Sequence, residues 1–92
     1  MIQSFVCKDT AAVFAGRDCP RFRNIRPALE RKLMMLDAGH TLADLKAPPS
    51  NHLEKLSREL ARHHSIRVNI QYRLIFVWTP PGPVDVACVD YH

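Results

Sequence analysis

The stretch TPPGP at residues 79–83 limits the fold more than any other segment of this chain. Proline gives no backbone N–H to a ladder, and the glycine accepts angles closed to other residues, so an element entering this stretch has to turn. Runs rich in β-branched and aromatic residues stand on both sides, SIRVNIQYRLIFVW before it and VDVACVDYH after it. Both read as strands. A break near Gln71 and Tyr72 makes the first run a hairpin, with Ile66, Val68 and Ile70 on one face and Arg67 and Asn69 on the other. The carboxy-terminal part is therefore expected to be antiparallel sheet.

The segments upstream are of a different kind. MIQSFVC is rich in β-formers and predicts a first strand. DTAAVFAG predicts a short helix capped by Asp9 or Thr10 and ended by Gly16. After the basic connector RDCPRFRN comes the strongest helical pattern, NIRPALERKLMMLDAG. Asn24 is its expected N-cap, Pro27 fits its first turn, and Ile25, Leu29, Leu33 and Leu36 form one apolar stripe. Gly39 closes it. Thr41 is expected to cap one helical turn before Pro48 and Pro49 stop it. HLEKL alternates like a short strand, although LEKLSRELAR has the composition of a helix. The order β, α, α, then three or four strands predicts an α+β domain: a mostly antiparallel sheet of four to five strands with two N-terminal helices on one face. At 92 residues one domain is expected.

Composition removes several function classes. Hydrophobic residues make up 47%, too many for a disordered tail. No apolar run approaches the roughly 20 residues of a membrane span. The opening MIQSFVCKDT lacks the charged-then-apolar order of a signal peptide, so a cytoplasmic location is expected. Three cysteines with no C-x-x-C pair read as reduced thiols. His63 and His64 are adjacent and would point oppositely in a strand, which predicts no metal site. Only three glycines are present and none forms a phosphate loop. No Ser or Cys sits beside a base as a nucleophile pair.

A net charge of +4 suits a polyanion partner or a merely solvated basic surface. Arg67 and Arg73 fall on central strands, where charge is uncommon unless the face is open or paired. An open face would be cationic, bordered by Arg62, His63 and His64, with Tyr72, Trp78 and Tyr91 available for stacking on bases. In the last strand, alternation places Val84, Val86, Cys88, Asp90 and His92 on one face and Asp85, Ala87, Val89 and Tyr91 on the other. The first of these faces turns from apolar to polar at its end.

Taken in order, ERKLMMLDAG, LADLKAPPSNHLEKL, SIRVNIQYRLIFVW and the terminal VDYH resemble the HigB-type toxins, the host-inhibition or plasmid maintenance killer branch of the RelE/ParE superfamily. The resemblance runs over almost the whole chain and implies one RelE-like domain over residues 1–92. It implies a toxin that cuts mRNA in the ribosomal A site without a metal or other cofactor, and a HigA-type helix-turn-helix antitoxin as partner. It assigns the catalytic roles to Asp90, Tyr91, His92, Arg73 and Glu54, with Arg67 on the RNA backbone. Relatives commonly read L-K-G-D-R-x-G-x-aromatic-S-I-R where this chain has LSRELARHHSIR. Arg58 and Arg62 thus replace two glycines and His64 replaces the aromatic; these three are expected to contact RNA. Two alternatives follow: a catalytically weakened member that only binds an antitoxin or RNA, and a ParE-like gyrase inhibitor, which the terminal D-Y-H disfavours.

Overall fold

The computed structural model describes residues 1–90. Two helices, α1 (Lys8–Phe14) and α2 (Arg26–Ala38), precede four strands: β1 (Glu54–Lys55), β2 (His63–Arg67), β3 (Tyr72–Thr79) and β4 (Gly82–Asp90). The strands form one antiparallel sheet in the order β1-β2-β3-β4, each paired to its sequence neighbour. This is the expected α+β, RelE-like arrangement. No helix among the described residues is long and apolar enough to cross a membrane.

The turns are built by the residues that forced them. Asn69 Oδ1 accepts from the backbone N–H of Gln71 (2.8 Å) and Tyr72 (2.7 Å), which reverses the chain between β2 and β3. Ile70 stands at this tip, 87% exposed, instead of sharing the face of Ile66. Pro80 and Pro81 form the β3–β4 loop, with Thr79 and Gly82 paired across it.

Leu29, Leu33 and Leu36 of α2 are fully buried, and Ile25 packs against them. They meet Phe22 and, from the sheet, Ile66, Leu74, Phe76, Val86 and Cys88. Each such side chain contributes about 1.5–3 kcal/mol through lost water contact. A smaller cluster of Leu56, Ile75 and Ala87 lies apart from this core, with Val89 and Cys7 against it.

Several local expectations change. Asn24 does not cap α2; it lies in a 310 turn, Pro20–Ile25, that runs straight into the helix. Cys7, not Asp9 or Thr10, precedes α1, and the Thr10 hydroxyl instead accepts from the Cys88 N–H at 3.0 Å. The Thr41 turn does form, with Asp44 completing a capping box. MIQSFVC is not a full strand: Phe5 makes a single parallel bridge to Val86. The segment still covers the outer edge of β4, through Gln3 N–H to Pro83 O, Val86 N–H to Ser4 O and Val6 N–H to Val86 O. In β4, Asp85 adopts φ 55° at a bulge, and the register shifts there. Val84 therefore lies opposite Val77, which breaks the alternation expected along the strand.

Candidate functional site

Arg73 lies mid-sheet and is 8% exposed. A guanidinium there needs partners, because burying an unpaired charge is costly. Its Nε donates to Ser65 Oγ at 2.8 Å, and its Nη2 donates to the Ser65 carbonyl at 3.4 Å and to the His52 carbonyl. Nη2 also lies 3.2 Å from the Glu54 carboxylate, which is 55% exposed. Among the described residues, three elements converge on this cation. Ser65 comes from the neighbouring strand, Glu54 from edge strand β1, and His52 from the turn before β1. His52 adopts the left-handed conformation, φ 45° and ψ 55°, at the end of the 310 turn Pro49–Asn51.

The register sets Arg67 directly across from Arg73, so both guanidiniums belong to one face of the sheet. Arg67 Nε donates to the Asn69 carbonyl at 3.2 Å, and Arg67 has no ion pair among the described residues. Like charges directly opposite repel, so this face favours an anion between or above them.

The other expected residues divide. Asp90 pairs in register with Tyr72, while Arg73 pairs with Val89, so Asp90 and Arg73 start from opposite faces at the same end of the hairpin. Its carboxylate accepts from Gln71 Nε2 at 3.0 Å. Tyr91 and His92 lie outside the described residues. Arg58 and Arg62 are exposed on the β1–β2 loop. Arg58 stands at φ 59°, the left-handed conformation, so the turn persists with an arginine in the place of the relatives' glycine. Arg62 shows no positive φ. His64 pairs with Phe76 on the core side of the sheet, its ring stacked at 6.4 Å and 21°. Burial, with the Lys55 charge beside it, holds its imidazole below the usual pKa. Alternation gives the Arg67 face to His63 instead, whose Nδ1 is buried without a partner among the described residues. The structure thus gathers Arg73, Glu54 and Arg67 and leaves His64 apart from them.

Two supports of the site escaped the sequence reading. Ser65 was detectable in principle, because S-I-R places it two residues before Arg67 and so on the same face. The His52 carbonyl had no such signal, since a left-handed histidine is set by the turn around it.

Comparison with known proteins gives concordant results. A family model described as the RelE-like toxin HigB of type II toxin-antitoxin systems matches residues 17–92. Toxin HigB-1 of Vibrio cholerae serotype O1 is 53% identical over 55 residues, 60% of this chain and 58% of that protein. An uncharacterised protein of Haemophilus influenzae is 49% identical over 53 residues, 58% of this chain and 52% of its own length. The chain therefore aligns with little more than half the length of these two relatives.

Proposed function

The chain belongs to the HigB-like toxins of type II toxin-antitoxin systems, and we propose that it cleaves messenger RNA on the ribosome as an endoribonuclease. The observation that carries this reading is the Arg73 guanidinium, fixed by Ser65, His52 and Glu54 beside Arg67 on one sheet face. In this reaction the ribose 2′-OH attacks the adjacent phosphate and expels the 5′-oxygen. It needs a base for the hydroxyl, a cation for the pentavalent phosphate and an acid for the leaving oxygen.

Arg73 is the group we assign to the phosphate. Its fixed position matters, because a donor that need not reorganise stabilises developing charge most. Glu54 is assigned as base, since its half-exposed carboxylate adjoins that guanidinium. His92 is assigned as acid, because imidazole titrates near neutrality. Asp90 and Tyr91 complete the terminal group, and Arg67 grips the backbone, as do the exposed Arg58 and Arg62; His64, turned to the core side against Phe76, is given no contact with RNA. The left-handed Arg58 supports an active enzyme over a silent binding module, because the turn that the lost glycine served is kept. By the same family reasoning, a HigA-type antitoxin neutralises the toxin and the cytoplasm is its place of action.

The test is primer extension on a message translated by purified ribosomes. The unaltered chain is expected to cut. Arg73→Ala and His92→Ala should each lose about 100-fold or more in rate, the scale of one removed transition-state donor. Because Arg73 also holds Ser65 and His52, Arg73→Lys serves as the folded control, with a melting curve to match. Absence of cutting by the unaltered chain rejects the nuclease, and full activity in both alanine variants rejects the assigned roles.

A further inference from the structure

Lys32 lies among the buried residues of α2, 9% exposed, beside Leu29, Leu33 and Leu36. Its ammonium has three protons to donate. Among the described residues it makes one hydrogen bond, to Asn51 Oδ1 at 2.6 Å, and no ion pair. Asn51 is itself fully buried and donates to the Leu45 carbonyl at 3.0 Å, which fixes its amide and aims the oxygen at Lys32. Burial first, and then the Arg31 charge, lowers the lysine's pKa. A lysine serving the fold alone is ordinarily met by a carboxylate when it is this sheltered. This one is met by a neutral amide and a second cation.

A cleft of about 440 Å³ opens beside it, lined by Arg31, Lys32, Ser50, His52 and Arg67 among others. Among the described residues no Asp or Glu lines it. His52 joins the cleft to the site already described: its carbonyl accepts from Arg73 Nη2. Arg67 does the same from the other side, as the register partner of Arg73. The cleft is thus contiguous with the proposed cleavage centre and carries the same sign of charge.

We propose that this cleft is a phosphate subsite, in which Lys32, Arg31 and Arg67 hold a phosphodiester of the RNA strand next to the one that is cleaved. The inference rests on the nuclease reading for the identity of its ligand. Its lining has the chemistry of a phosphate site: a point-charge ammonium, two guanidiniums and the Ser50 hydroxyl. Lys32 and Arg31 come from a helix that the terminal motif does not involve, so the subsite extends the RNA track from the sheet onto α2.

The test measures binding without cleavage. A fluorescent 2′-O-methyl oligonucleotide lacks the attacking hydroxyl, and its anisotropy is followed with the full chain over a series of salt concentrations. Arg31→Gln and Ser50→Glu alter exposed positions and should fold normally, as a melting curve will show; Lys32→Met keeps the apolar stem of the buried residue. Each is expected to weaken binding about threefold or more, and loss of one phosphate contact should lower the slope of log K against log salt by about 0.7. Unchanged affinity and slope in Arg31→Gln and Ser50→Glu overturn the subsite. So does failure of the unaltered chain to bind the oligonucleotide, or inorganic phosphate binding as tightly as the oligonucleotide does. The result separates from the nuclease question: a chain that binds through these residues but never cuts keeps the subsite and loses the nuclease, and a chain that cuts with both exposed variants unaffected does the reverse.

Discussion

Arg67 and Arg73 face each other across β2 and β3, and this pair sets the character of the sheet face that carries them. Both were legible as candidates because charge on central strands has few explanations; their pairing across β2 and β3 came only with the register. The face of His64 was not legible, because it depended on where β2 begins, and SRELARHHS has no periodicity to say so. Arg58 holds a left-handed backbone that an L side chain adopts only at a cost. Arg58→Gly is therefore expected to raise stability by about 1 kcal/mol, read as a shifted midpoint in urea, while removing one candidate RNA contact. Cys88 makes a second prediction. Burial pushes its thiol up to about 12 from 9.0, the Cys7 charge adds to this, and Arg21 opposes it. The unfolded chain thus releases this proton first as pH rises. Stability should fall across that interval by as much as about 1.4 kcal/mol per pH unit from this group, and Cys88→Ala should lack that share of the decline in urea melts between about pH 9 and 12.

At the scale of elements, the strong periodic signals held, as did the caps at Gly16 and Thr41, while the N-caps expected for α1 and α2 did not. The stripe on α2 and the turn at TPPGP follow from packing and proline geometry, which few contexts override. Caps depend on where the preceding residues lie: the 310 turn from Pro20 brings Asn24 into a helical path before α2 starts. The amino-terminal segment was legible as extended but not as a partner of β4, since that pairing joins opposite ends of the sequence. Gly82 records the pairing. It adopts φ 144°, and a Cβ there would lie 2.0 Å from the Met1 carbonyl oxygen. Gly82→Ala should displace the amino-terminal segment and cost about 1–3 kcal/mol, seen as faster hydrogen exchange at Val6 and Val86 than elsewhere in the sheet.

Over the whole molecule, the radius of gyration of 12.0 Å matches the roughly 12 Å expected for a compact chain of this length. Helices and sheet form two layers around a principal core, and a much smaller apolar cluster lies apart from it. That division of apolar and charged residues was readable from period-two patterning. The bulge at Asp85 was not, because it depends on the cross-strand register and not on any glycine or proline at that position.

The family match begins at residue 17, yet residues 3–10 supply the groups that satisfy the free side of β4. A fragment cut to the matched region would present Val86 and Cys88 with open backbone donors on a long apolar strand, a template for stacking against identical molecules. Such a fragment is expected to precipitate or grow thioflavin-positive fibrils at concentrations where the full chain stays clear, so that the segment preceding the matched region is what keeps the molecule dispersed.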